Sequence, residues 1–355
     1  MLMSTIEEIA KIAGVSASTV SRALANNKKI SEKTIKRIEK IANELNYTPN
    51  LSARALTGKG TKLIGLIVPE ITSNYYAQII NRVESELYAK GYALIIGTTG
   101  FNADKGIRNL EVFIGRAVDG IIYADEINFD EVNVAEVKEK IKSLVEKNNE
   151  KNNLPIVFLG FAGENTGHEC ITVDDEYGIS LLVSHLVGLG HKSIGFIGEK
   201  LSKKARLPPF KKALAEWGLE YNEKFIKTDG NERFEAGGYM RMKELLAEGD
   251  LPTAVFATYD NIAIGAMKAL HEAGLKVPED ISIIGFDNIK ESEYLIPALT
   301  TVFPPIMEMT QRAVDILIEK IEKIDKNETV RKYTAAKTTL YPELVLRQST
   351  SAPRQ

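Results

Sequence analysis

Gly14-Val15-Ser16-Ala17-Ser18-Thr19-Val20-Ser21-Arg22 decides how the chain begins to fold. Before it, Ile6, Ile9 and Ala10 recur at helical spacing, with Ile12 and Ala13 beside them. Ser4 or Thr5 can cap that helix, with Glu7 or Glu8 three residues on. Gly14 permits the sharp turn that a residue with a Cβ resists. A second helix from about Ser16 buries Val20 and Leu24 and leaves Ala17, Ser18, Ser21 and Arg22 free to face outward. A third, capped by Ser31, carries Ile35, Ile38, Ile41, Ala42 and Leu45 and closes a small core. Two short helices around a tight turn, the second with an exposed polar face and an arginine, have the pattern of a helix-turn-helix.

Charge separates this reading from a plain three-helix packing unit. From Met1 to Lys62 there are 11 Lys+Arg and 5 Asp+Glu, about +6, so the remainder carries about −9 of the overall −3. A basic head on an acidic body is the electrostatic footprint of duplex binding.

The segment Ile6 to Leu56, with VSASTVSRAL and LNYTPNLSARAL, resembles the headpiece of the lactose-repressor (LacI/GalR) family of bacterial transcription regulators. The similarity runs on to LYPELVLRQST at 340–350. The resemblance implies an all-α helix-turn-helix headpiece plus an α/β, periplasmic-binding-protein-like body of two doubly wound parallel-sheet subdomains. It implies boundaries at 1–49 for the headpiece, 50–61 for a hinge helix, 62–174 with 304–326 for the first core subdomain, 175–303 with 327–347 for the second, and 348–355 for a tail.

The body's own grammar agrees with two doubly wound halves. Leu63-Ile-Gly-Leu-Ile-Val-Pro69 is a short continuous apolar run, as a buried parallel strand should be. Helices and strands then alternate through 285, with helices near 207–217 and 235–247. Alternation of this kind implies parallel sheets covered on both faces, with ligands beyond the carboxyl ends of strands. Three chain crossings between the halves are expected near 174, 304 and 327. Residues 131–153 are charged and polar and suggest a surface helix with a loop.

The headpiece candidates for DNA contact follow from chemistry and position. Arg22 can form a bidentate pair with guanine O6 and N7, or clamp a phosphate. Ala17 and Ser18 open the helix on which family members place their base-reading pair; Ala17 offers only a methyl. Ser16, Thr19 and Ser21 suit phosphate positioning, Asn26, Lys28 and Lys29 suit the backbone, and Thr5 is a further DNA-contact candidate. Asn50 caps about two turns containing Ala53, Arg54 and Leu56, too short to persist alone. In the family this hinge helix pairs with its dimer mate in the minor groove, where the residue at Leu56 wedges a base step. The alternative for this stretch is an ordinary interdomain linker.

The effector candidates are Tyr75, Tyr76, Arg206, Arg233, Tyr259 and Asp287. The resemblance assigns the tyrosine pair to stacking against a sugar, Arg206 to effector oxygens and Asp287 to ligand hydroxyl or amine groups; the alternatives are a core-packed helix start for the tyrosines, Tyr76 above all, and a turn cap for Asp287. Several positions depart from the family pattern: Asn74 replaces a proline, Pro209 a glycine, Tyr259 an asparagine, and Arg233 an aromatic. Arg233 either favours a phosphorylated or acidic effector or points to solvent. Asp174 and Asp175 serve the crossover turn or face the cleft.

Other classes find little support. The sequence has no Gly-x-Ser-x-Gly, His-Glu-x-x-His or phosphate-loop pattern, so an enzyme is not expected, nor a cofactor. One cysteine and four scattered histidines offer no metal cluster. No apolar run approaches the ~20 residues a membrane helix needs, and no signal peptide is evident. The expectation is a cytoplasmic homodimeric repressor on palindromic duplex operator DNA, switched by a small molecule of the carbohydrate class. The alternatives are a regulator switched by a phosphocarrier protein and, more remotely, a sugar carrier. With no leucine heptads after Arg347, a coiled-coil tetramer is not expected.

Overall fold

Thr5 accepts from the Glu8 N–H and Glu8 reaches back to the Thr5 N–H at 3.1 Å, so the first helix opens on a reciprocal cap. The computed structural model describes residues 5–24, 29–45, 47, 60–124, 139–140, 143–144, 154–160, 168–326 and 336–354. They fall into two units, 1–61 and 62–355.

The first unit contains α1 (Ile6–Ala13), α2 (Ala17–Leu24) and α3 (Glu32–Glu44). Gly14 ends α1 in the left-handed region at φ 62°, as the turn requires. Ser31 caps α3 by accepting from Thr34 N at 3.3 Å. Ile9, Ala13, Val20, Ala23, Ile38 and Ile41 form the core. Leu24 only packs against its edge. Arg37 of α3 donates to the Ala13 carbonyl and so satisfies the last turn of α1 from outside it.

The second unit is built on two six-stranded sheets. In the first, β1 (Leu63–Val68), β2 (Ala93–Thr98), β3 (Gly120–Tyr123), β4 (Ile156–Leu159), β5 (Glu169–Val173) and β11 (Lys337–Leu340) lie in the order β11-β5-β4-β3-β1-β2, all parallel. Its faces are covered by α4 (Asn74–Ala89) and α10 (Ile306–Asp325) on one side and α5 (Ala103–Gly115) on the other. β1 is buried almost throughout because both its faces meet helices.

In the second sheet, β6 (Ile194–Ile197), β7 (Ile226–Lys227), β8 (Ala254–Ala257), β9 (Ser282–Phe286), β10 (Thr300–Phe303) and β12 (Glu343–Val345) lie in the order β12-β10-β9-β8-β6-β7, with β12 antiparallel to β10. One face packs α6 (Asp175–Gly188) and α7 (Lys200–Glu216), the other α8 (Phe234–Leu246) and α9 (Asp260–Glu272). Helices α8 and α9 touch backbone to backbone. A Cβ on Gly265 would lie 1.9 Å from the Glu235 carbonyl oxygen, and one on Gly238 2.0 Å from that of Ile262.

Three sequence expectations need correction. The third crossing does not fall near 327: β11 pairs with β5 in the first sheet and β12 with β10 in the second, so the chain passes between lobes at 341–342. The helix expected near 207 begins at Lys200 and carries Pro208 and Pro209 inside it. Each proline removes one N–H donor, but the Glu199–Ser202 cap and the burial of Ser202, Leu207 and Phe210 hold the preceding turns. Residues 348–354 are no separate tail. Ser349 is fully buried, its hydroxyl donates to the Ile283 carbonyl at 2.6 Å, and its carbonyl accepts from Ile283 N at 2.8 Å. The hinge helix and most of 131–153 lie outside the described residues. Among the described residues no helix is long and apolar enough to cross a membrane.

Candidate functional site

Helix α2 presents the headpiece candidates. Val20 and Ala23 point into the core, which turns Ser18 and Arg22, one helical turn apart, into the solvent. Ser16 precedes α2; its Oγ lies 2.8 Å from Ser18 Oγ and 2.9 Å from Thr19 Oγ1, and accepts from Thr19 N at 3.2 Å. Those hydroxyls share one network at the start of the helix, where backbone N–H groups also face outward, a suitable place for a phosphate. Thr5 is committed to the α1 cap, which leaves its side chain exposed. Asn26, Lys28, Asn50, Ala53, Arg54 and Leu56 lie outside the described residues.

In the body, a cleft lies between the two lobes. Tyr75, Tyr76, Arg206, Arg233, Tyr259 and Asp287 all line it. From the first lobe, α4 opens with Tyr75 and Tyr76, whose rings meet edge to face at 5.1 Å. Tyr76 is buried in the lobe's core, while Tyr75 is half-buried at the cleft. From the second lobe, Phe286 and Asp287 stand at the carboxyl end of β9 and Tyr259 at that of β8, where doubly wound sheets place ligands.

Arg206 is the centre of the second-lobe wall. Its guanidinium lies 3.7 Å from the Phe286 ring centroid and 4.9 Å from that of Tyr259. Nε donates to Asp175 Oδ2 at 3.1 Å, Nη1 donates to the Thr258 carbonyl, and Nη2 stands 3.8 Å from Asp287 Oδ1. Asp175 therefore faces the cleft, whereas Asp174 caps α6 by accepting from Tyr177 N at 2.8 Å.

Asp287 and Asn288 sit in left-handed conformations, at φ 116° and 48°. For residues with a Cβ this costs roughly 1–3 kcal/mol each and needs outside support. Asp260, fully buried behind the turn, supplies it. Its carboxylate accepts from Ile289 N at 3.0 Å, Ser292 Oγ at 2.7 Å and Thr301 Oγ1 at 2.5 Å. Burial pushes the Asp260 carboxyl up, and those three bonds pull against it. Arg347 adds a bond to Asn288 Oδ1 at 2.7 Å.

Arg233 neither points to bare solvent nor stands uncommitted. It forms a two-pronged pair with Glu70 of the opposite lobe, Nη1 to Oε2 at 2.8 Å and Nη2 to Oε1 at 3.1 Å. Its Nε donates to Glu199 Oε2 at 3.1 Å, and Phe234 N donates to Glu199 Oε1 at 2.7 Å. Burial works against the charge on Arg233, but the two carboxylates outweigh it and hold the guanidinium above its ordinary value. A second bond between lobes runs from Asn74 Nδ2 to Glu291 Oε2 at 3.0 Å.

The sequence reading missed Glu70, Phe101, Phe234 and Phe286 as cleft residues. Phe286 and Phe234 adjoin named candidates, so strand-end position was a usable signal for them. Glu70 and Phe101 follow β1 and β2 in loops with no motif to mark them. Among the described residues no group of His, Cys, Asp and Glu could hold a metal ion.

Comparison with known proteins places these features in context. Residues 5–50 match the family described as bacterial regulatory proteins, lacI family, and residues 183–350 match a periplasmic binding protein-like domain. The chain is 36% identical over 350 residues to the HTH-type transcriptional repressor PurR of Pasteurella multocida, covering 98% of each. It is 34% identical over 351 residues to that of Mannheimia succiniciproducens, again covering 98% of each. The lac repressor dimer bound to operator and the anti-inducer ONPF is similar at a TM-score of 0.82 and 27% identity, over 99% of this chain and 100% of that one. A LacI family regulator from Enterococcus faecium with bound ribose is similar at a TM-score of 0.67 and 28% identity, over 82% and 100%.

Proposed function

Since the chain belongs to the lacI family of bacterial regulatory proteins, and is thus a sequence-specific DNA-binding regulator and not an enzyme, we propose that it is a repressor whose hold on operator DNA is switched by a small molecule of the sugar class bound between its two body lobes. One observation carries this reading. Six residues scattered from 75 to 287 in the chain, belonging to both lobes, line a single cleft. Rings of Tyr75 and Tyr259 suit the apolar face of a sugar, and Asp287 with the Nη2 of Arg206 offers an acceptor and a donor for its hydroxyls. The similar regulator with bound ribose supports the ligand class.

A ligand that touches both lobes differs in affinity between their relative dispositions, and so biases them. Coupling of this kind typically amounts to about 1–3 kcal/mol, roughly a 5–150-fold change in operator affinity. The protein acts as a homodimer, because a headpiece this small reads one half-site and a two-fold pair reads a palindrome. The similar lac repressor dimer on operator supports that assembly.

The test is to recover bound genomic fragments with the full-length protein, then titrate the resulting operator with neutral sugars and sugar phosphates. The expected result is a sugar that both raises the melting temperature and changes operator affinity. No response to any sugar, together with tighter operator binding when a phosphocarrier protein is added, would move the switch from the cleft to a lobe surface.

A further inference from the structure

The Arg233 fork has the geometry that binds a phosphate or a ligand carboxylate. A guanidinium presenting two parallel N–H groups meets two oxygens, with the start of helix α8 beside it. Both attractions to an anion are already met by the protein. Glu70 takes the two Nη groups, and Glu199 takes Nε and the Phe234 N–H. The guanidinium also lies 4.9 Å from the Phe101 ring centroid and 4.4 Å from that of Phe234, which fixes its plane.

We propose that Glu70 is a specificity-determining residue: its carboxylate fills the Arg233 fork in place of an anionic ligand group, so the cleft takes effectors that carry no phosphate or carboxylate at that end. This deepens the effector reading above and rests on it.

Displacement is unfavourable for a reason visible in the site. An incoming phosphate would have to expel Glu70, whose side chain is only 16% exposed, and leave that carboxylate beside a new anion. The wall offers little to offset this. Of the charged residues lining the cleft, Glu70, Asp175 and Asp287 are acidic, and the arginines 206 and 233 are each already engaged with carboxylates. A neutral hydroxylated molecule adds no charge and can use Asp287 and the rings without breaking the pair. Because Glu70 and Arg233 come from opposite lobes, the same pair also joins the lobes across the cleft.

The experiment uses full-length protein and inorganic phosphate as the probe, at constant ionic strength. Melting temperature is followed against phosphate for wild type, Glu70→Ala and the double variant Glu70→Ala/Arg233→Ala. Glu70→Ala is expected to gain a saturable, phosphate-dependent rise, with phosphate binding at least about tenfold tighter than in wild type. Wild type and the double variant should share only the small general effect of the salt. Two results would overturn the proposal: a folded Glu70→Ala protein with no added response, or a wild type that binds phosphate through Arg233 as tightly as the variant does. Should Glu70→Ala not fold, Glu70→Gln keeps the volume and removes the charge, and it must gain a phosphate response as well. No effector is needed for this titration. A cleft that takes phosphate in the variant but no sugar in the wild type would retain the fork assignment and discard the sugar, and the reverse pattern would do the opposite.

Discussion

Arg206 sits over the Phe286 ring, with its guanidinium carbon 3.7 Å from the ring centroid, and at the same time its Nε donates to Asp175. The ring contact, the ion pair and the bond from Nη1 to the Thr258 carbonyl fix the guanidinium in the cleft wall. Replacing Arg206 with alanine leaves Asp175 and Asp287 without their cation in a buried wall. Loss of one partner of a buried pair costs roughly 3–5 kcal/mol. Urea unfolding should show a loss of that order, and operator affinity should stop responding to the effector. Arg206→Lys keeps the charge but loses the planar stack, so it should recover stability in part and the response hardly at all. An alanine variant as stable and as responsive as wild type would remove Arg206 from the site.

Arg22 is the exposed cation of α2, one turn after Ser18. Arg22→Ala is expected to weaken operator binding by about 1–3 kcal/mol, roughly 5–150-fold, and to relax preference for a guanine at one position of each half-site. Binding to a panel of single-base operator variants checks both effects. A uniform weakening with unchanged preference would make Arg22 a phosphate contact instead.

Two histidines connect the chain's C-terminal residues to stability below neutral pH. His191 is 1% exposed, its Nε2 2.8 Å from the Ser351 carbonyl oxygen and its Nδ1 2.9 Å from Thr253 Oγ1; His185 Nε2 stands 3.0 Å from Thr350 Oγ1. Burial, the largest influence on each, holds both below the ordinary 6.5. With folded values depressed, the unfolded chain binds protons first as pH falls. Stability from these two groups is therefore complete above about 6.5 and declines as pH drops from there through the folded values. The urea midpoint should fall as pH drops below about 6.5, and a His185→Gln/His191→Gln variant should show a flatter profile there. An equally steep profile in the variant would assign the loss to other groups.

Gly238 and Gly265 let α8 and α9 meet without side chains between them. Gly265→Ala would place a methyl group 1.9 Å from the Glu235 carbonyl oxygen, a backbone atom that cannot move without its helix. Overpacking commonly costs about 1–3 kcal/mol, and this contact belongs at or beyond the top of that range. Chemical denaturation should show it, alongside Gly274→Ala as a control that meets no atom within 4 Å and suffers only from its φ of 75°. Because α8 starts next to Arg233, a Gly265→Ala protein that still folds should also lose part of the Glu70–Arg233 pair.

Much of the local structure is legible along the chain. Thr5 with Glu8, Ser31 before α3, the apolar run of β1 and the charge contrast at Lys62 all express preferences that act within a few residues, so a linear reading captures them. The six cleft residues are named through the resemblance to the LacI/GalR family, and the structure brings all six to one cleft. The elements misread are those where packing overrides local preference. Pro208 and Pro209 suit the first turn of the helix expected from 207, yet α7 starts at Lys200 and the core formed by Leu207 and Phe210 holds it through them. Strand β11 returns to the first sheet because β5 offers it an open edge, which no local pattern announces.

What the chain by itself determined was a basic helical reader, a two-lobed body and the residue types available at the mouth between the lobes. Only the tertiary structure decided what those residues face. Arg233 meets a glutamate 163 positions away, Arg206 an aspartate 31 positions away, and Asp287 owes its left-handed turn to the buried Asp260. Helix and strand preferences decay over a few residues, whereas Coulomb attraction and desolvation act through space. The charge of the cleft is therefore set by which strands and loops the fold brings side by side.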